Sequence, residues 1–307
     1  MAKARALVIG EALIDIVPKG DTTLELPGGS PLNVAVALGR LGRRVELVAW
    51  LGRDPRGQAI EEHLRASHVT LAAASLGAAR TSTATVRLDA TGSADYVFDL
   101  DWDFTPPSAL RDVAVVHTGS LAVGIDPGAP RVVDFFQGLK QSSAPAPTLT
   151  FDPNLRPSLV GEPAVLAPRI ERLVAAADVV KASDEDLRYL YPVADPAAIA
   201  RAWASAGPAL VVMTRGAGGA LAFAGEISVD APAKPADVAD TVGAGDTFMA
   251  GLIDGLWSQQ LLGAAARPAL RAMTESQVLV ALERAGAAAA VTVSRPGANP
   301  PWAAELA

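Results

Sequence analysis

Asp240-Thr241-Val242-Gly243-Ala244-Gly245-Asp246-Thr247-Phe248 closes a β-rich segment and opens an apolar helix running to about Trp257. Small residues at 243 to 245 let backbone N–H groups crowd round one point at a helix N-terminus, where the partial positive charge favours an anion. The stretch reads as a phosphate site. Asp246, at its edge, is an odd choice for phosphate binding alone, because the two negative charges repel. As a base it makes sense: a carboxylate beside a transferring phosphoryl group accepts the proton of an attacking hydroxyl, while the N–H groups of Gly243, Ala244 and Gly245 stabilise the developing charge. The alternative is a tight strand-to-helix turn in which Asp246 only caps the helix.

A second glycine pair, Leu26-Pro27-Gly28-Gly29-Ser30-Pro31-Leu32-Asn33, leads into a helical run from Val34 to Leu41. Asn33, one turn inside, both donates and accepts hydrogen bonds, which suits sugar hydroxyls; alone it could equally be an exposed helix amide. Upstream, the strand-like Ala6-Leu7-Val8-Ile9-Gly10 runs into Glu11-Ala12-Leu13-Ile14-Asp15. Two acids interrupt an apolar stretch there, and buried acids need partners.

Short β-branched runs alternate with helical periodicity along the chain, the pattern of parallel βαβ construction and an α/β fold. Strands are expected at 5–9, 45–51, 113–118, 148–152, 178–181 and 209–214. Helices are expected at 31–41, 56–66, 128–141, 163–177, 196–206, 245–257 and 275–290. Residues 11–27 and 80–104 read as extended segments without helices between them, which suggests a small separate sheet.

GGSPLNVAVALGRLG at 28–42 and DTVGAGDTF at 240–248 together resemble the two motifs of the ribokinase-like sugar kinases, the pfkB carbohydrate kinase family. The resemblance covers nearly the whole chain, through GEALID at 10–15, GRDPRG at 52–57, FDPNLRP at 151–157, KASDEDL at 181–187, TRGAGGAL at 214–221 and RPGANPP at 295–301, all in the family's order. It implies a three-layer αβα fold with a mostly parallel central sheet, residues 1–307 forming one kinase domain, and the small sheet acting as a lid that excludes water from the reacting phosphate. It implies ATP and Mg2+ as cofactors, K+ as a further ion, and a homodimer paired through the lid. FDPNLRP and GEALID look most like the bacterial fructokinase and 2-keto-3-deoxygluconate kinase branch.

The resemblance also assigns residues. Asp15, Gly28, Gly29, Asn33 and Phe98 are expected at the sugar, with Arg156 placed for a phosphate or a substrate acid group. Asp152-Pro153-Asn154-Leu155-Arg156 ends an expected strand, where open α/β sheets bind ligands. Ser183, Thr214, Gly216 and Gly219, with Gly243 and Gly245, are expected at the nucleotide. The family has an asparagine and then a glutamate that organises Mg2+ through water; Ser183 and Asp186 stand in those places, a departure, and Glu185 is either the substitute or a solvated acid at a helix start. Asp240, Val242, Gly297 and Ala298 match the backbone positions that hold a monovalent cation in relatives.

Composition sets limits on the function. At 307 residues, 50% of them hydrophobic, the chain can fill a large α/β core. A net charge of −7 and the lack of any basic run argue against a nucleic-acid partner. There is no cysteine, which excludes disulfides and thiolate chemistry, and His63, His68 and His117 are too scattered for a metal cluster. Glu11 and Asp15 break the first apolar stretch before a signal-peptide core forms, and no stretch reads as a membrane span, the nearest being the Ala-rich run at 285–293. A cytoplasmic protein with no membrane partner is expected.

A dehydrogenase would place G-x-G-x-x-G after the first strand and a Walker NTPase would carry G-x-x-x-x-G-K-[ST]; neither occurs. A non-catalytic sugar-binding protein of this fold remains, against which Asp246 speaks. Lid segments contribute Lys19, Arg80 and Arg87 against Asp21, Glu25, Asp89, Asp95, Asp99, Asp101 and Asp103, with Tyr96, Phe98 and Trp102 nearby. Acids and aromatic rings suit the hydroxyls and faces of a neutral sugar, so fructose is the expected substrate and 2-keto-3-deoxygluconate the alternative.

Overall fold

The computed structural model describes residues 4–19, 22–88, 94–107 and 109–306. Thirteen strands are labelled in chain order: β1 Arg5–Ile9, β2 Leu13–Lys19, β3 Thr22–Gly28, β4 Arg44–Val48, β5 Val69–Leu71, β6 Thr83–Leu88, β7 Ala94–Asp99, β8 Val113–Gly119, β9 Thr148–Asp152, β10 Val179–Ser183, β11 Leu210–Thr214, β12 Ala220–Ala224 and β13 Ile227–Ala231. Nine form one sheet in the order β13-β12-β11-β10-β9-β8-β1-β4-β5. From β4–β5 through β10–β11 all pairings are parallel, and β12 and β13 add an antiparallel edge.

Period-two alternation explains the three layers. On β1, Ala6 and Val8 pack into one apolar cluster and Leu7 and Ile9 into the other, all four fully buried. The first cluster takes Leu32, Met249, Leu256 and Leu282 from the helices Ser30–Arg40, Ala244–Ser258 and Glu275–Val293. The second takes Val132, Phe136, Ile170, Leu173 and Trp203 from Gly128–Gln141, Pro163–Ala176 and Pro196–Ser205. Helix Glu275–Val293 meets the length and composition of a membrane span, yet it lies along Ala244–Ser258 so closely that a Cβ on Gly251 would stand 2.8 Å from the Ala285 Cα.

The smaller sheet runs β3-β2-β6-β7. In its register Asp15 faces Leu26 and Ala84, and Ala84 faces Phe98, so Asp15 and Phe98 share one face. This is the small sheet expected from residues 11–27 and 80–104. Asp21 and Asp89, and the side chains of Lys19, Arg87, Asp95 and Tyr96, lie outside the described residues.

The six expected main-sheet strands are present within a few residues of their expected ends, and so are the seven expected helices. Omitted from the expectation were β5, the β12–β13 hairpin and the short helices Pro157–Val160, Asp184–Leu190 and Arg267–Arg271. Ala-Leu-Ala-Phe-Ala at β12 carries neither β-branched residues nor an amphipathic period, and it is fixed by pairing with β11.

Candidate active site

From β1 the chain moves outward to β4 and β5, then returns to lay β8 on the other side of β1. The strand order reverses between β1 and β8, and the crevice at the carboxyl ends beside such a reversal is where open α/β sheets take ligands. Glu11 follows β1, Asp152 ends β9, Ser183 ends β10 and Thr214 ends β11, with Ser183 and Thr214 directly paired. Residues of four motifs, Ser183 and Thr214 among those expected at the site, therefore meet along one edge.

Gly243 caps helix Ala244–Ser258 at φ 73°, in the left-handed region, and a Cβ there would stand 2.6 Å from the Ala298 Cβ. Only glycine fits. The first-turn N–H groups lack helical partners; that of Ala244 donates back to the Thr241 carbonyl at 3.2 Å, and Gly245 is exposed, so the nest opens to solvent at Gly245. Asp246 is buried beside it. Its Oδ1 accepts from Ser30 Oγ at 2.6 Å and from Asn154 Nδ2 at 3.2 Å, and its Oδ2 accepts from Asn33 Nδ2 at 2.8 Å. Three neutral donors from two other motifs thus fix the carboxylate. A cap to its own helix is not what these bonds form.

Asp240 joins the segment before the nest to the last loop: its oxygens accept from Val242 N at 3.0 Å and Gly297 N at 2.8 Å. Those two bonds hold its carboxyl below the usual range. Asp240, Val242, Gly297 and Ala298, far apart in sequence, are thereby brought together.

Among the residues expected at the sugar, a Cβ on Gly28 would stand 2.1 Å from Asp15 Oδ2, so the glycine makes room for that carboxylate. Burial pushes Asp15 up to about 6, with the charge of Arg156 opposing. Gly29 has φ 108°, and a Cβ there would stand 2.7 Å from the Glu11 carbonyl oxygen. Glu11 accepts from Ser30 N at 3.3 Å and Ala122 N at 3.1 Å, and burial pushes it up to about 7. Glu11, one of the two acids flagged in the apolar stretch, thus has partners.

The lid differs from the expectation in its charges and in one ring. Arg80 pairs with Asp99, Arg56 with Glu25 at 2.5 Å and Arg131 with Asp103 at 2.6 Å, so three of the lid acids are bound to arginine and not offered to a sugar. Trp102 is buried, its Nε1 donating to the Ala122 carbonyl at 3.1 Å, and it is a core ring. Arg156 lies exposed and donates to Asn154 Oδ1 at 2.9 Å, which turns the Asn154 amide nitrogen toward Asp246.

Of the residues expected at the nucleotide, Gly216 and Gly219 lie at φ 52° and 80° in the turn from β11 to β12, where a Cβ on Gly219 would meet the Ala231 carbonyl at 2.1 Å. Asp186 accepts from Leu155 N at 2.7 Å with one oxygen and from Ser183 N at 2.8 Å and Ser183 Oγ at 2.7 Å with the other. Glu185 is exposed. Ser30, Asn154 and Lys181 were not singled out from the sequence, although each lies inside a quoted motif.

A family model described as pfkB family carbohydrate kinase matches residues 3–305. The fructokinase of Rhizobium leguminosarum bv. trifolii is 34% identical over 269 residues, spanning 83% of this chain and 81% of its own. Fructokinase from Xylella fastidiosa with bound ATP has a TM-score of 0.81 at 28% identity, covering 98% of this chain and 96% of that one. Fructokinase from Vibrio cholerae O395 in a fructose-, ADP- and calcium-bound form has a TM-score of 0.80 at 29% identity, covering 97% and 95%; a double mutant of it, bound to fructose, ADP and potassium, has a TM-score of 0.78 at 28%, covering 96% and 94%. The chain belongs to the pfkB family of carbohydrate kinases, enzymes that move a phosphoryl group onto a sugar.

Proposed function

We propose that the protein transfers the γ-phosphoryl group of ATP to a primary hydroxyl of a neutral sugar, with fructose as the substrate. The observation that carries this is a buried carboxylate, Asp246, in the first turn of a helix whose nest of N–H groups faces solvent. The sugar oxygen forms its bond to the γ-phosphorus as the bond to the β,γ-bridging oxygen breaks, and the hydroxyl proton passes to Asp246. ADP leaves. Gly243, Ala244 and Gly245 bind the moving phosphoryl group through their N–H groups. Asp15, Gly28, Gly29, Asn33 and Phe98 line the sugar side, and Ser183, Thr214, Gly216 and Gly219 the nucleotide side.

Asp15 with Arg156 nearby presents a carboxylate and a cation together, which suits hydroxyls better than a second anion. The fructose- and ADP-bound Vibrio cholerae relative supports the same choice. Arg156 is the feature that keeps 2-keto-3-deoxygluconate as a second reading.

For Mg2+, Asp186 has both oxygens on protein donors, and among the described residues no three His, Cys, Asp or Glu side chains gather. Glu185 and Asp186 fit the ion only at one remove, through water, with the nucleotide phosphates carrying it. Bound there, it neutralises phosphate charge. Asp240, Val242, Gly297 and Ala298 are proposed to hold K+, in keeping with the potassium-bound relative. We place the protein in the cytoplasm, as one kinase domain working as a homodimer.

Asp246→Asn tests the base. The amide keeps the shape but loses the basicity and one of the two acceptor oxygens, so turnover should fall about 10²- to 10⁴-fold while fructose still binds. Turnover within a few-fold of the original removes Asp246 from that role.

A further inference from the structure

Lys181 ends the apolar run of β10, and its side chain is only 3% exposed. Its Nζ donates to Asp152 Oδ2 at 2.7 Å. Asp152 is itself 1% exposed, and among the ion pairs of the described residues this is the one with both partners buried; Asp178 and Asp254 are equally buried, but their arginine and lysine partners are about a quarter exposed. Such a pair is a poor stabilising device. Removing both charges from water costs several kcal/mol each, and apolar side chains of the same volume often serve as well.

Its location suggests another use. A Cβ built on Gly245 would stand 3.2 Å from Lys181 Nζ, and apart from the chain neighbours and helix backbone around Gly245 no other atom comes within 4 Å of that point. The ammonium therefore lies directly behind the third residue of the nest, nearer to that point than the Asp152 carboxylate. The pair is a fixed dipole with its positive end toward the site where phosphoryl charge gathers. Asp152 also reaches the base: its Oδ1 accepts from Asn154 N at 3.2 Å, with Asn154 in the left-handed region at φ 35°, and the Asn154 side chain donates to Asp246.

We infer that Lys181, paired with Asp152, is a positioning residue for phosphoryl transfer, acting through the nest from behind and through Asn154 on the base. The inference rests on the kinase reading above. A charge preorganised in a site shielded from water stabilises the transition state without reorganising, whereas it contributes little to ground-state sugar binding, which occurs on the other side of Asp246.

The test is Lys181→Met with Asp152→Asn, which removes both charges of the pair at nearly constant volume. The expected result is a melting temperature and a fructose KM close to the parent's with kcat lower by about 10- to 100-fold, somewhat less than the loss of one direct oxyanion donor. Recovery of kcat along with stability means the pair is structural only and overturns the inference. Should the double variant fail to fold, Lys181→Gln, which keeps a donor for Asp152, gives the same comparison, and an unchanged kcat in it is equally decisive. A second arm needs no turnover: affinity for ADP with aluminium fluoride, a mimic of the transferring phosphoryl group, should weaken by the same factor while affinity for ADP alone holds. If the parent phosphorylates no sugar, the kinase reading fails, and equal ADP–aluminium fluoride affinity in parent and variant then separately overturns the role of Lys181.

Discussion

At the scale of single residues, the site is made of acids whose surroundings set their work. In the proposed sugar-binding role Asp15 must be ionised to accept hydroxyls, yet burial raises it to about 6 against the pull of Arg156. The direction follows: above pH 6 the carboxylate is available, and as pH falls through 6 it protonates and loses acceptors. The fructose KM should therefore rise below pH 6, by up to about tenfold per pH unit, as for any essential ionised group, and Asp15→Asn should abolish that limb. A KM flat from pH 7 to 5 contradicts the role of Asp15. Asp246 and the glycines around it were legible because small residues before an acid at a helix start carry their chemistry locally. Ser30 and Asn154 were not, because their meaning lies in contacts to Asp246 across 216 and 92 residues of chain. Lys181 was hidden for a related reason: at the end of the expected strand 178–181 it reads as a charge reaching solvent, whereas it is the middle residue of β10 and the neighbouring strand supplies Asp152.

At the scale of elements, helix starts were the clearest signal. Gly29 before Ser30-Pro31 and Gly243 before Ala244 mark two helix N-termini with positive φ, and both were placed within a residue. Strand ends and the edge hairpin were less legible, since strands of five residues owe their limits to their neighbours. Substrate chemistry read from lid composition was also partly misleading, because acids that suggest hydroxyl binding are tied to Arg56, Arg80 and Arg131. The joined loops at 240–243 and 297–298 give a prediction at this scale. With the loops held by Asp240, rates in K+ should exceed rates in tetramethylammonium at equal ionic strength, and Asp240→Asn should shrink the difference. Equal rates in both salts mean that no cation site operates there.

At the scale of the molecule, a parallel sheet reversing between β1 and β8 gathers residues from several motifs at one edge, and a second, four-stranded sheet carries Asp15 and Phe98. The lid face that carries Asp15 and Phe98 also presents Leu24 and Leu26, which are 39% and 41% exposed. Apolar strand residues left open beside a binding site favour pairing of two lids in a homodimer. Leu24→Asp with Leu26→Asp should convert a dimer to a monomer in sedimentation velocity; a parent already monomeric at assay concentration rules out the lid pairing. The alternation of helices and strands made the main sheet legible from sequence, and the helix-free segments made the lid legible. The assembly and the sugar were not, because both are read by surfaces that only the folded lid creates. Substrate choice is therefore the central question, and kcat/KM measured with ATP and Mg2+ for fructose, fructose 6-phosphate and 2-keto-3-deoxygluconate under one set of conditions addresses it directly. The account predicts that fructose exceeds both anions, and a clear preference for either anion would contradict it.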